Sequence, residues 1–478
     1  MAMTVHDIVY RELDQSRVQA LHWKVGAFAG LGAFLDGFDY AVIAIALIGI
    51  IPEFKPTPAE IAALVAAAYA GGALGGILFG SLADRYGRKL LFLLDIAFFI
   101  VFAILSGFAT SVWMLILVRF CLGVGLGGDF PLSASYMTEF APLRYRGRLG
   151  SWVGSFWWVG ALAAMLVGAV FFSVMTPIES WRWILASGSV PAVVALWLRA
   201  GLPESPRWYL ARSRVDEALA VIRKINPAVT ASDVLALAAS VRAEVSQPAA
   251  RLTELFSRQV LRSTVFTAGF FTCYTLAFYA VTIYGPTILK NLGGYTSPEQ
   301  LALGTAFYFL WACIGAYTNV FVVERLGRKR CLLISFTGMA LILFVVAAVY
   351  PSTFLISILL LAAFQFFQAF GPGVLWASYI PELFPTRLRA SGHGFATLCS
   401  RLGAVLSSFL WVWAAATFTI NGAFMVHGLF AGLGIALTLV LGVETRGRSL
   451  EEINSEEKAT LLHPPLDDRL AAAVSPQP

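Results

Sequence analysis

Charge is what this sequence has least of. Asp, Glu, Lys and Arg together make up 13% of the 478 residues while 58% are hydrophobic, and a soluble domain carries about 25% charged residues. With a mean hydropathy of +0.76, that scarcity excludes an ordinary water-soluble chain. Cysteine is sparse too. Cys121, Cys273, Cys313, Cys331 and Cys399 stand apart, mostly inside apolar runs, so neither a disulfide framework nor a metal-ligand spacing is expected. The polar segments contain no nucleophile-and-base set and no nucleotide fingerprint, which argues against an enzyme and leaves no cofactor or metal to expect. The first 23 residues carry Asp7, Arg11, Glu12, Asp14 and Arg17 ahead of any apolar run, so a cleavable signal peptide is not expected.

What the chain does have is long apolar runs, at about 24–50, 58–83, 90–109, 112–139, 148–173 and 182–201, then 262–289, 299–323, 331–350, 353–381, 391–416 and 421–442. Each reaches or approaches the ~20 residues that a bilayer core requires of a helix. The spacing predicts an all-α integral membrane protein with twelve transmembrane helices in two six-helix bundles, 24–201 and 262–442. The bundles are flanked by a cytoplasmic N-terminal segment, 1–23, and a cytoplasmic tail, 443–478. A polar linker, 202–261, separates them and is expected to carry short surface helices near Ser213 to Lys224 and Ser232 to Val245.

The net charge of +6 follows from 34 Lys+Arg against 28 Asp+Glu, and in a membrane protein the position of these charges outweighs their sum. With the N-terminus inside, 28 Lys and Arg fall on the inner side and only Lys55 and Lys290 in outer loops. The positive-inside rule therefore puts both termini and the linker in the cytoplasm. Basic character is explained by topology, and nucleic acid is not an expected partner.

The halves also repeat. Asp84-Arg85-Tyr86-Gly87-Arg88-Lys89 returns as Glu324-Arg325-Leu326-Gly327-Arg328-Lys329, and the run from Glu139 to Arg146 returns as Glu382 to Arg389. Pro203-Glu204-Ser205 and Val443-Glu444-Thr445 follow the last run of each half. Two parallel six-helix halves with a substrate site at the midplane between them fit a secondary transporter working by alternating access.

Ionisable side chains in hydrocarbon cost about 2.5 to 3.5 kcal/mol each, so each one is a functional candidate. Counted from Lys24, Asp36 and Asp39 lie about 18 and 22 Å deep, and Asp129 lies about 15 Å from Glu139 with Arg119 a further 15 Å out. Buried carboxylates beside an arginine change proton affinity when the two separate, so Asp36 and Asp39 are candidate proton carriers, Arg119 is the charge partner that sets their proton affinity, and Asp129 is a second acid on the path. The alternative is a permanent pair tying the first and fourth helices. Arg401, about 18 Å beyond Arg389 with no acid in its own helix, suits an anionic substrate; pairing with an acid on another span is the alternative. Phe130, Trp157, Tyr274, Tyr279 and Trp376 are candidate stacking surfaces for a flat substrate. His393 and His427 are read as structural, and Asp95 is assigned to the cytoplasmic face.

Gly80-Ser81-Leu82-Ala83-Asp84-Arg85-Tyr86-Gly87-Arg88-Lys89 resembles the signature loop of the major facilitator superfamily, and Pro203 to Tyr209 and Glu444 to Glu452 resemble motifs of its sugar and metabolite porters. The resemblance covers almost the whole chain and implies the twelve-helix fold. It also implies an inner gate built from Asp84, Arg88, Glu139, Arg146 and Glu204, mirrored by Glu324, Arg328, Glu382, Arg389 and Glu444. Leu35-Asp36-Gly37-Phe38-Asp39 and Cys399 to Ala404 are similar to elements of aromatic-acid/proton symporters. Gly127 to Ala134 and Phe370-Gly371-Pro372 are similar to phosphate/proton symporters, yet Phe130 and Gly373 stand where those usually have Tyr and Asn, and the seventh run lacks their Asp. Sugar porters carry a Gln pair in the seventh helix, where this chain has Thr272-Cys273-Tyr274-Thr275. In related sugar porters a first-helix Asp and a fourth-helix Arg couple the proton, and Asp39 and Arg119 occupy those positions. The expected activity is proton-coupled symport of a small organic anion by a monomer in the cell's inner membrane. Sugar, polyol or phosphate symport, or a transporter-like nutrient sensor, are the alternatives.

Overall fold

Among the residues described by the computed structural model (20–129, 146–201, 204, 206–225, 229–232, 234–235, 252–291, 295, 297–349, 354–385 and 388–446), every regular element is a helix. The spans of the first half are α1 (Ala20–Phe54), α2 (Pro58–Tyr86), α3 (Arg88–Ser106), α4 (Val112–Gly127), α5 (Arg146–Val174) and α6 (Pro177–Ala200), the last relaxing at Ser187 and Gly188. Those of the second are α7 (Leu261–Ile283), α8 (Pro298–Leu326), α9 (Arg328–Val349) and α10 (Phe354–Phe370), followed by α11 (389–418) and α12 (420–441). The final two run together as Arg389–Leu441 except at Thr419, whose φ of 69° and ψ of 175° break the helical path. The linker contributes Pro206–Ala211 and Val215–Ile225. The second expected linker helix falls mostly outside the described residues.

Local sequence sets where several spans begin. Ser297 accepts from the Gln300 amide while Gln300 reaches back to Ser297, a complete capping box with Pro298 in the first turn of α8. Thr57 and Glu60 make the same reciprocal pair at the start of α2, and Ser111 caps α4 through the Met114 amide at 3.2 Å. Pro372 lacks the amide needed to continue α10, which stops at Phe370 and resumes as the short turn Pro372–Leu375.

Each half packs its own six spans, α1 on α5, α2 on α4 and α3 on α6 in one, α7 on α11 and α8 on α10 in the other. The halves meet chiefly through α5 with α8 and α2 with α11, the arrangement a pseudo-twofold axis requires. The α2–α4 contact is close because glycines interlock. A Cβ on Gly71, Gly75, Gly123 or Gly127 would collide with a backbone oxygen of the facing helix, the small-residue packing expected of helices in lipid. Trp113, Leu117, Trp197, Leu341 and Val440 are exposed, each more than 60%, while Asp36, Asp39, Arg119, Arg199 and Arg401 are buried. Apolar outside and charged inside is the distribution that a lipid solvent selects.

Candidate functional site

Two acids on one stretch of α1 are held by two arginines from different places. Asp39 accepts from Nη1 of Arg119 on α4 at 2.6 Å, and Nη2 of the same arginine bonds the Asp39 carbonyl at 3.1 Å. The Asp39 Oδ2 atom is buried without a hydrogen-bond partner. One turn away, Asp36 accepts from Nη2 of Arg401 through both oxygens, at 3.2 and 3.1 Å, and from the indole of Trp157 at 3.2 Å. Gly37 makes the Trp157 contact possible, because a Cβ there would strike the Trp157 carbonyl. The first pair lies inside one bundle. The second joins α1 to α11 across the interface between the halves.

Aromatic rings surround the second pair. The Arg401 guanidinium sits 4.7 Å from the Tyr40 ring centre and 5.1 Å from that of Tyr69, and the two rings stack on each other at 3.7 Å. Such faces stabilise a desolvated cation. Tyr69 in turn meets the edge of Tyr279 on α7 at 4.2 Å. Trp157, Trp158 and Phe278 form an edge-to-face cluster, and Tyr274 stacks on Phe278 at 4.8 Å with 9° between planes. Trp376 lies parallel to the His393 ring at 6.1 Å. Of the expected stacking residues, Trp157, Tyr274, Tyr279 and Trp376 are thus brought between or beside the two halves; Phe130 lies outside the described residues.

Arg401 takes the alternative stated for it, while Asp129 and Asp95 meet arrangements not expected from the sequence. Arg401 lacks an acid in its own helix, as its sequence shows, but α1 supplies one 365 residues away, so its guanidinium is paired with Asp36 in this state. Asp129 bonds to Arg199 of α6; its carboxylate packs where a Cβ on Gly32 of α1 would stand. Asp95 of α3, expected at the cytoplasmic face, instead lines a small cavity with Asp129, Gly32, Leu35 and Gly125, and its Oδ2 is buried and unpartnered. Arg199, near the end of α6, is 1% exposed.

A neutral polar chain was also missed. The Tyr274 hydroxyl donates to Gln368 at 2.8 Å, Gln368 donates to Gln365 at 2.5 Å, and Gln365 donates to Thr282 at 3.2 Å. All four side chains are buried. The seventh run lacks glutamine, and the amides come from α10, where Gln365 and Gln368 stand three apart in an otherwise apolar helix; that spacing was the usable sign.

At the positively charged end, each half repeats one device. Gly87 and Gly327 adopt φ of 99° and 90° immediately before α3 and α9, a conformation that favours glycine. Behind each sits a glutamate from the end of the same half. Glu204 accepts the Lys89 amide at 3.0 Å, while Glu444 accepts the Arg328 and Lys329 amides at 2.9 and 3.2 Å. Carboxylates thereby satisfy orphan donors at the positive end of a helix dipole. Arg328 further bonds Glu324 at 2.8 Å and Glu382 at 3.2 Å. Across the interface the Arg148 amide donates to Glu324 at 3.1 Å, and Ser151 to Asn319 at 2.7 Å. Glu204, Glu324, Arg328, Glu382 and Glu444 are therefore placed at this end. Arg389 is there at the start of α11. Glu139 and the side chains of Asp84, Arg88 and Arg146 lie outside the described residues.

Comparison with known proteins identifies the family. The family described as "Sugar (and other) transporter" matches residues 25–456. An inner membrane metabolite transport protein of Escherichia coli, YgcS, is 30% identical, covering 92% of this chain and 95% of that protein. The niacin transporter NiaP of Acinetobacter baylyi is 28% identical, covering 94% and 99%. Among solved structures, the proton:xylose symporter XylE superposes with a TM-score of 0.77 at 23% identity, covering 91% and 98%, which shows the major facilitator fold. The chain belongs to the sugar (and other) transporter family of the major facilitator superfamily; it is an integral membrane transporter and not an enzyme.

Proposed function

We propose that this member of the sugar (and other) transporter family carries a small organic anion together with a proton, and that the preferred substrate is a flat aromatic carboxylate. The observation that supports the reading is the Asp36–Arg401 pair, in which a carboxylate of one bundle occupies the guanidinium of the other. A substrate carboxylate is the same chemical group. When it takes Arg401, Asp36 is left as an uncompensated charge in a buried, low-dielectric place, which is costly unless it binds a proton. Anion binding and proton uptake then occur together, and the loaded site is electrically neutral.

The aromatic surfaces at Trp157, Tyr274, Tyr279 and Trp376 give the ring of such a substrate its stacking partners. A niacin transporter among the relatives is consistent with a substrate of this class. Of the two first-helix acids expected to carry protons, the reading assigns the linkage to Asp36, because its partner lies in the other half and separates when the halves rock. Asp39 and Arg119 belong to one bundle and stay together. The contacts of Arg148 and Ser151 with Glu324 and Asn319 form the inner gate, which opens when α5 parts from α8. Lys and Arg counts place that gate and both termini in the cytoplasm. One chain holds the whole path, so the monomer is the working unit.

The Tyr274–Gln368–Gln365–Thr282 chain favours a second reading, a hydroxyl-rich neutral substrate such as a sugar or polyol. Proteoliposomes separate the two. Proton entry is measured while benzoate, an aliphatic carboxylate, a hexose and phosphate are offered in turn. Proton entry with benzoate above its passive leak in empty liposomes supports the first reading, and a signal with hexose alone rejects it.

A further inference from the structure

His393 and Thr397 stand two turns and one turn before Arg401 on α11, at i, i+4 and i+8, so all three share one face of the helix. Eight residues of helix put His393 about 12 Å from Arg401, toward the positively charged end. All three side chains are buried, His393 at 3% and Thr397 at 7% exposure. Nε2 of the imidazole is buried without a hydrogen-bond partner. With the ring proton on Nδ1, the neutral imidazole offers Nε2 as a bare acceptor. The Thr397 hydroxyl also lacks any partner, although a helical threonine ordinarily satisfies itself on the carbonyl four residues back, as Thr267, Thr305 and Thr438 do here. Two unsatisfied polar groups one turn apart inside a protein call for a ligand or water to complete them. The parallel ring of Trp376 walls the same place.

We propose that His393 and Thr397 form a second subsite, which accepts a neutral group bearing a donor beside an acceptor: a protonated carboxylic acid or a carboxamide. Nε2 takes the ligand's O–H or N–H, and the Thr397 hydroxyl donates to its carbonyl. No charge is needed, so the subsite suits the acid after protonated Asp36 has passed its proton to the substrate carboxylate and returned to Arg401, and before the neutral acid is released at the positively charged end. The inference rests on the reading of Arg401 as the carboxylate site and adds a station that recognises the other protonation form.

Benzamide mimics the neutral acid and cannot bind Arg401 as a carboxylate. Binding of benzamide and benzoate to the purified full-length protein is measured by calorimetry for wild type, His393→Leu, Thr397→Val, His393→Gln and Arg401→Ala. The expected result is benzamide affinity reduced about tenfold by His393→Leu and by Thr397→Val, a loss matching one hydrogen bond, with partial rescue in His393→Gln and benzoate affinity unchanged in all three. Wild type that fails to bind benzamide, or benzamide affinity indifferent to both substitutions, overturns the subsite. Benzoate affinity unaffected by Arg401→Ala instead rejects the carboxylate reading, and that outcome is independent of the benzamide result.

Discussion

The two carboxylate–arginine pairs on α1 use the same chemistry and are built differently. Arg119 holds Asp39 at 2.6 Å and adds a bond to its backbone carbonyl, all within one bundle. Arg401 reaches Asp36 through one nitrogen shared between two oxygens at 3.1 and 3.2 Å, across two bundles, and leans on two tyrosine rings. A short bond inside a rigid body is suited to persist. A longer, shared bond between bodies that rock apart is suited to exchange. Burial alone does not distinguish them, since all four residues are at most 5% exposed; what separates structural from exchanging charge is which rigid body supplies each partner.

Substitutions can break this comparison at either pair. The largest effect is expected from Arg401→Ala, which removes the anion's partner and should reduce benzoate uptake by about two orders of magnitude while leaving detergent-solubilised stability near wild type; comparable loss for a neutral substrate would assign Arg401 to packing alone. Two orders of magnitude correspond to about 2.7 kcal/mol, the scale of a hydrogen bond to a charged group, about 1.5 to 3 kcal/mol; stability changes little because the Asp36 left behind is neutralised by a proton. Asp39→Asn should act on stability instead. It leaves Arg119 buried against a neutral group, a cost of about 3 to 5 kcal/mol, so thermal unfolding should shift far more than for Asp36→Asn. Equal shifts would erase the distinction between the pairs. At the charged end, Glu444→Gln weakens two charge-assisted bonds to the start of α9 and should cost about 1 to 2 kcal/mol, read as faster amide exchange at Arg328 and Lys329 with little change in benzoate affinity.

Much of the fold was legible because a bilayer leaves few solutions: runs of about 20 apolar residues must be helices. The merging of α11 and α12 around Thr419 and the break after Phe370 are local details that the apolar pattern does not carry, although Pro372 marks the second. The repeated Gly-Arg-Lys loops pointed correctly to matching ends of two halves, and Glu204 and Glu444 now have a physical task there. The pairing of Asp39 with Arg119 followed from the resemblance to sugar porters, which matches those two positions; depth alone left Asp36 and Asp39 both open as its acid. The partner of Arg401 was not, because depth along a helix says nothing about which distant span faces it, and the same limit hid the grouping of Asp95, Asp129 and Arg199. Substrate recognition was less legible still. The amides lie on α10 and not on the seventh helix, where the resemblance to sugar porters puts them, and an unsatisfied nitrogen such as that of His393 is visible only when every neighbour has been placed.

The central claim is that a substrate carboxylate replaces Asp36 on Arg401 and thereby forces a proton onto Asp36. Benzoate binding to purified protein, measured by calorimetry as a function of pH, tests it most directly. Over about pH 6 to 8 benzoate is almost wholly anionic, since simple carboxyl groups titrate near pH 4, so the pH dependence of anion binding at Arg401, measured with His393→Leu to remove the site for the neutral acid, belongs to the protein. The account predicts that wild-type affinity falls as pH rises, approaching tenfold per pH unit for one proton taken up with each anion, and that Asp36→Asn binds benzoate with no such slope. An unchanged slope in Asp36→Asn would contradict it.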